Sequence, residues 1–235
     1  MRVIVIGNAP TVLLKELGSE IDKFDKVIRM NHYHIEGYEK PVGTKTNIYA
    51  RSHNPEYPPS DGSKYEEVWL RPEWKMWNVK PWFHVPIINM DESNIIPLTR
   101  KNFKNNKTQT TGFRAIMTAL KKFGSPVHVL GFNFFNQHGN MGSPCPRPHY
   151  YLDEPPNMYQ IWKSSTVKAY AHRFDLERTE VQKLIDKKDV IPMFPEEIYD
   201  NLDLSHLDSC REYTPDHLKG KAKFGKKNVG KFYDK

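Results

Sequence analysis

Short apolar runs alternate with helical patterns along this chain, and the alternation predicts the order of its elements. β-branched and aliphatic runs predict strands at residues 3–6, 26–29, 46–50, 67–70, 83–88, 127–130 and 190–191. A helix is expected from Pro10, because proline suits the first helical position. Longer helical patterns cover Phe113–Phe123, which ends at the cap residue Gly124, and Thr166–Lys187.

This order of strands and helices indicates an α/β fold with a mostly parallel central sheet flanked by helices. Ligands of such sheets bind beyond the carboxyl ends of the strands. Two polar turns lie at such ends: Gly7 and Asn8 follow the first strand, and Asn31 follows the second. Glycine lets a ligand approach the backbone, and a helix N-terminus favours an anion. An ordinary tight turn would look the same, since the G-x-G-x-x-G dinucleotide fingerprint is absent.

Composition narrows the class of protein. The chain has 235 residues, of which 38% are hydrophobic, which is enough for one sizeable core. No run of eighteen apolar residues occurs, and Val3–Ile6 is too short for the apolar region of a signal peptide. Only two cysteines are present, Cys145 and Cys210, which is sparse for a secreted protein. We therefore expect a cytoplasmic protein.

The positive charge is concentrated at one end of the chain. Residues 218–235 carry +6 of the formal charge of +7, so the body is nearly neutral. A neutral body argues against a nucleic-acid footprint for the main domain. The basic tail is either a solvated terminus or a weak contact to an anionic membrane surface or a nucleic acid. The expected division is a domain at 1–217, with a proline-rich lid loop at about 133–163, and this tail.

Three further segments carry candidate chemistry. Thr110, Thr111 and Gly112 precede a predicted helix, where threonine either caps the helix or presents its hydroxyl to a phosphate. His149 lies in the proline-rich loop and could pair with a phosphate or simply be exposed. His172 lies near the start of the long helical pattern and is a candidate general base.

Glu177 follows His172 by five residues, which is about 140° around a continuous helix. The two side chains would then not share a face. Either the helix begins or bends between them, or Glu177 has a role other than orienting His172.

Taken in order, these segments resemble the four sialyl motifs of the eukaryote-type sialyltransferase family. The long motif is matched by Gly7-Asn8, Ile21-Asp22, Phe24-Asp25, Val27–Asn31, Gly37-Tyr38 and Val42–Thr46. The short motif is matched by Thr110-Thr111-Gly112, Ala115, Leu120 and Val129–Phe132. His149-Tyr150-Tyr151 is similar to the third motif, and His172 with Glu177 fits the final motif, H-x-x-x-x-E.

The resemblance implies a single Rossmann-like glycosyltransferase domain, a GT-A-like variant, and a CMP-activated sugar as donor. It implies that His172 is the catalytic base and that His149 faces the donor phosphate. The implied donor-binding residues are Gly7, Asn8, Asn31, Thr110, Thr111, Gly112, Phe132 and Tyr150.

The chain also departs from the family. Leu152 stands after the aromatic pair of the third motif, where an acidic residue is usual. Neither the long nor the short motif holds a cysteine, whereas animal members join these motifs by a disulfide. The membrane anchor of Golgi members also has no counterpart. These departures favour a soluble bacterial or viral relative.

The resulting hypothesis is a metal-independent, inverting transfer from CMP-sialic acid to a hydroxyl of a galactose-terminated glycan. No metal or other cofactor is expected, because no D-x-D sequence occurs and a monophosphate leaving group needs less neutralisation. Trp74, Trp77 and Trp82 are either an acceptor platform or core residues. Transfer from another CMP-linked keto-sugar such as CMP-Kdo, and CMP binding without catalysis, are the alternatives.

Overall fold

A computed structural model describes residues 1–51, 64–70, 95–99, 101, 109–134, 150, 174–199 and 202. Its strands are β1 (Val3–Ile6), β2 (Lys26–Met30), β3 (Ile48–Arg51), β4 (Glu67–Leu70), β5 (Ile95–Pro97), β6 (Val127–Leu130) and β7 (Val190–Pro192). Its helices are a 3₁₀ turn (Pro10–Leu14), α1 (Gly18–Ile21), α2 (Glu39–Val42), α3 (Thr111–Phe123), α4 (Phe174–Asp186) and α5 (Glu196–Tyr199).

The strands form one seven-stranded sheet in the order β5-β4-β3-β2-β1-β6-β7. Every neighbouring pair is parallel, which confirms the predicted α/β class. Strand β1 is central and entirely buried, as its four apolar residues require. Its register sets Ile6 opposite both Arg29 of β2 and Leu130 of β6, so the segments that follow these strands leave the sheet at one edge.

Alternate residues of β1 enter two separate cores. Val3 and Val5 join the core formed with α3 and with Val181 of α4. Ile4 and Ile6 join the opposite core, formed with the 3₁₀ turn, α1 and α2. The sheet is therefore flanked by helices on both faces, because the apolar side chains of β1 point to both faces and each face must be covered.

Most predicted elements within the described residues are confirmed, with shifts of a few residues at their ends. The expected helix from Pro10 is instead a 3₁₀ turn followed by the separate helix α1. Sequence patterns missed α2, β5 and α5, each of which is only three or four residues long. The strand predicted at 83–88, the three tryptophans and the basic tail lie outside the described residues, as does all of the lid loop except its first two residues and Tyr150. Among the described residues, no helix is long and apolar enough to cross a membrane.

Candidate nucleotide-binding site

The turns after β1 and β6 meet through two glycines. The Gly7 N–H donates to the Leu130 carbonyl at 2.7 Å, and the Ala9 N–H donates to the Gly131 carbonyl at 3.2 Å. A Cβ on Gly7 would overlap the Gly131 carbonyl group, and a Cβ on Gly131 would lie 2.6 Å from the Gly7 carbonyl oxygen. Gly131 also has a φ of +79°, which favours glycine. Only a pair of glycines lets these two backbones pack so closely.

Asn8 carries an unsatisfied polar atom at this edge. Its side chain is 8% exposed. The amide nitrogen donates to the Met30 carbonyl at 3.3 Å, while the amide oxygen Oδ1 accepts no hydrogen bond from any described residue. A buried acceptor without a partner is costly and rare in native proteins. The Asn8 oxygen is therefore placed to accept a hydrogen bond from a ligand.

Asn31 ends β2 in the left-handed conformation, with a φ of +49°. Asparagine is among the residues that tolerate this region best. Its N–H donates to the Ala50 carbonyl of β3 at 2.9 Å, which keeps the turn tied to the sheet. The long-motif asparagines thus lie in neighbouring turns at the same sheet edge.

The N-terminus of α3 packs directly against these turns. A Cβ on Gly112 would lie 2.8 Å from the Phe132 ring and 3.1 Å from the Met30 sulfur. Thr111 is buried beside it. The Met30 carbonyl also accepts the hydrogen bond from the Asn8 side chain. The turn after β1, the end of β2 and the N-terminus of α3, which are far apart in sequence, therefore converge here. The positive end of the α3 dipole faces this edge, which suits a phosphate.

Thr110 is held by Glu177, the residue that the sequence left without a role. The Thr110 N–H donates to Glu177 Oε1 at 2.7 Å, and the Thr110 hydroxyl donates to Oε2 at 2.6 Å. The same hydroxyl oxygen accepts the Phe113 N–H at 3.1 Å and so caps α3. Glu177 is 1% exposed and lies on α4. It therefore ties the final motif to the short motif.

A second buried glutamate, Glu197 of α5, holds the turn after β6. It accepts hydrogen bonds from the Gly131 N–H and from the Thr11 hydroxyl. Sequence reasoning missed Glu197, because a Pro-Glu-Glu triplet is also typical of an exposed helix start. The described part of the site thus has two buried carboxylates, each accepting from a backbone N–H and a threonine hydroxyl.

Tyr150 is a structural anchor in this structure. Its hydroxyl donates to the His34 carbonyl at 2.6 Å and accepts the His34 N–H at 2.9 Å, while its own N–H donates to the Asn8 carbonyl at 3.0 Å. Burial raises the pKa of the hydroxyl well above its ordinary value, so it stays neutral. The side chain is 1% exposed. Tyr150 therefore fixes the third motif against the Asn8 turn, and the donor contact expected of it stays a prediction.

The two catalytic candidates, His149 and His172, lie outside the described residues. They adjoin described ones: His149 precedes Tyr150, and His172 lies two residues before α4. Of the predicted donor-binding set, the structure brings together Gly7, Asn8, Asn31, Thr110, Thr111, Gly112 and Phe132. Among the described residues, no group of three or more metal-ligating side chains occurs.

An all-parallel α/β sheet with polar turns and a helix N-terminus at its carboxyl edge defines an α/β class of protein in which ligands bind at that edge. Comparison with known proteins narrows that class. Residues 1–76 match the family model for glycosyltransferase family 29 (sialyltransferase). The type 2 lactosamine alpha-2,3-sialyltransferase of Mus musculus is 27% identical over 225 residues, which cover 81% of this chain and 64% of that protein.

A second relative, the CMP-N-acetylneuraminate-beta-1,4-galactoside alpha-2,3-sialyltransferase of Rattus norvegicus, is 47% identical over 47 residues, 20% of this chain and 13% of that protein. The fold resembles the crystal structure of the sialyltransferase Cst-II in complex with CMP. That likeness has a TM-score of 0.50 at 12% identity and covers 83% of this chain and 82% of the other. The chain spans less than two thirds of the length of the curated relatives it matches. It is similar in sequence to sialyltransferases of family 29 over these stretches, and a bacterial or viral source stays a prediction.

Proposed function

We propose that this protein transfers sialic acid from CMP-sialic acid to a hydroxyl group of a galactoside acceptor. The observation that carries the proposal is the buried Asn8 amide oxygen, which has no hydrogen-bond partner among the described residues, at the edge where the Gly7 turn meets the N-terminus of α3. Such an oxygen suits an amino or hydroxyl donor of a cytidine, and the helix N-terminus suits its single phosphate.

The galactoside acceptor is inferred from the relatives, whose names specify lactosamine and β-1,4-galactoside acceptors. We assign the described turns to the nucleotide half of the proposed site and assign acceptor specificity to none of the described residues.

The proposed chemistry is a single displacement with inversion. His172 removes the proton from the acceptor hydroxyl, whose oxygen forms a bond to the anomeric carbon of the donor sugar. The bond from that carbon to the phosphate oxygen breaks, and its electron pair leaves with CMP. His149 and the N–H groups at the start of α3 stabilise the charge on the departing phosphate. One phosphate leaves, so these groups can neutralise it without a metal ion.

The deciding experiment measures CMP release with CMP-sialic acid and with CMP-Kdo, each with and without lactose, in the presence of EDTA. We expect release from CMP-sialic acid that lactose stimulates, that EDTA does not affect, and that His172→Ala lowers by at least about a hundredfold. Release from CMP-Kdo alone would instead identify the other keto-sugar as donor. Tight CMP binding without release from either donor would identify a nucleotide-binding protein that lacks transferase activity.

Asn8 gives a test of the nucleotide site that does not depend on turnover. Asn8→Ala removes one ligand hydrogen bond and is expected to weaken CMP binding about tenfold. Asn8→Asp places a carboxylate beside the phosphate site and is expected to weaken it further. Isothermal titration calorimetry with CMP measures both effects, and urea unfolding of each variant controls for stability. Unchanged affinity in Asn8→Asp would show that CMP does not contact this turn.

A further inference from the structure

Among the described residues, Glu197 is the most deeply buried carboxylate at the nucleotide site. The hydrogen bonds that its carboxylate accepts come from the turns that form this site. The Gly131 N–H donates to both carboxylate oxygens, at 2.8 and 3.0 Å. The Thr11 hydroxyl donates to Oε2 at 2.6 Å, and the Phe132 N–H faces the carboxylate and favours its ionised form. The side chain is 0% exposed. Three elements distant in sequence, the 3₁₀ turn, the turn after β6 and α5, therefore meet at one carboxylate.

No cation balances this carboxylate within the described part of the chain. None of the ion pairs there involves Glu197. On the elements packed against it, the charged side chains are Lys15, whose ammonium lies over the Phe194 ring, and the exposed Glu196. Among the described residues, its charge-stabilising contacts are thus the hydrogen bonds from Thr11 and Gly131 and the facing Phe132 N–H. Burial outweighs them and raises the pKa of the Glu197 carboxyl to about 7.

The ionised form suits these partners better than the neutral form. All three neighbours are donors, and an ionised carboxylate accepts from all of them. A protonated carboxyl has its own O–H to place, and it faces the Gly131 and Phe132 N–H groups, which cannot accept. Ionisation therefore tightens the turn after β6, and protonation loosens it.

That turn is part of the nucleotide site. Gly131 packs against Gly7, directly before Asn8, and Phe132 packs against Gly112 at the start of α3. We propose that Glu197 is a positioning residue of this site, whose ionised carboxylate holds Gly131 and Phe132 in the geometry that binds the nucleotide. The inference rests on the proposed function, because it assumes that CMP binds at this edge.

Ionisation of Glu197 should change nucleotide affinity and fold stability in opposite directions as pH rises. Nucleotide affinity rises as Glu197 ionises, through pH 7. Fold stability falls as pH rises, because the pKa of Glu197 in the native state lies above the ordinary value of 4.5. The stabilising contribution of this group is fully present below pH 4.5 and is lost as pH rises through about 7. A residue with a merely structural role would not couple the two responses in this way.

The experiment is CMP titration by calorimetry between pH 6 and pH 8 for wild type, Glu197→Gln and the matched control Glu196→Gln. The ionised fraction of a group with pKa about 7 rises roughly tenfold over this range, so affinity rises roughly tenfold with it. The phosphate of CMP also titrates between pH 6 and pH 8, and this changes the CMP affinity of the control variant as much as that of the wild type. We expect wild type and Glu196→Gln to show this additional rise and Glu197→Gln to lack it and to bind more weakly.

Thr11 supplies a second pair of variants in which the carboxylate is retained. Thr11→Val removes one donor to the ionised form and is expected to move the midpoint of the affinity profile to higher pH, while Thr11→Ser leaves it in place. The Gly131 and Phe132 amide resonances of the ligand-free protein should titrate near pH 7 in wild type and not in Glu197→Gln. This measurement decides the role of Glu197 in the turn even if CMP fails to bind, which would by itself refute only the proposed function.

Glu197→Gln that matches Glu196→Gln in affinity and in pH profile would overturn the proposal. So would Gly131 and Phe132 amide resonances that do not respond to pH in wild type.

Discussion

Gly7→Ala is expected to destabilise the fold by about 3 kcal/mol and to abolish CMP binding. The added Cβ would overlap the Gly131 carbonyl group, which is backbone and cannot rotate away as a flexible side chain would. The turns after β1 and β6 must then separate, and this displaces Asn8 and Phe132 together. Urea unfolding followed by circular dichroism measures the first effect, and calorimetry with CMP measures the second.

Gly124→Ala is the matched control for this substitution. A Cβ on Gly124 meets nothing within 4 Å, although the φ of +81° makes any side chain strained. We expect a cost of about 1 kcal/mol and unchanged CMP affinity, because Gly124 ends α3 far from its N-terminus. If Gly7→Ala behaves like Gly124→Ala, the two turns are not as tightly packed as described.

Glu177→Ala is expected to destabilise the protein by about 2–3 kcal/mol and to lower the rate of CMP release from the donor about a hundredfold. The substitution leaves the partly buried Thr110 N–H and hydroxyl without their acceptors. The N-terminus of α3 is then free to shift against the donor phosphate. Glu177→Gln keeps one oxygen for the Thr110 N–H, so both effects should be smaller.

Glu180→Gln is a suitable comparison on the same helix, because Glu180 pairs only with Lys101 and Lys183 at the surface among the described residues. Surface pairs of this kind contribute about 0–1 kcal/mol. A double-mutant cycle between Glu177→Ala and Thr110→Val would measure the coupling directly. Additive effects on turnover would show that Glu177 acts through some contact other than Thr110.

Glu177 and Glu197 give the C-terminal part of the chain a direct part in the nucleotide site. Each holds a backbone N–H of a segment that lines the site, Thr110 in one case and Gly131 in the other. Helix α4, which begins two residues after the proposed base His172 in sequence, holds Thr110 through Glu177.

Sequence alone was sufficient for six of the seven strands of the described sheet and for the placement of Asn8 and Asn31 at one of its edges. The buried strand β1 follows from four consecutive apolar residues, and α3 follows from an apolar stripe between the capping residues Thr110 and Gly124. The rule that ligands bind at the carboxyl ends of parallel strands then predicts that Asn8 and Asn31 lie at one edge. These inferences depend on periodicity and turn chemistry, which are local properties of the chain.

The partners of buried polar groups were decided only by the tertiary structure. Glu197 accepts hydrogen bonds from residues 66 and 186 positions away in sequence, and Glu177 accepts two from a residue 67 positions away. No local pattern tells Glu197 from the exposed Glu196, because a one-turn helix acquires a buried side only by packing. Only the tertiary structure likewise shows that the Tyr150 hydroxyl is bonded to the His34 backbone, 116 positions away, while its donor contact stays a prediction. Local sequence chemistry determines which elements form and where they end, whereas a buried charge or hydroxyl takes the partners that long-range packing brings to it.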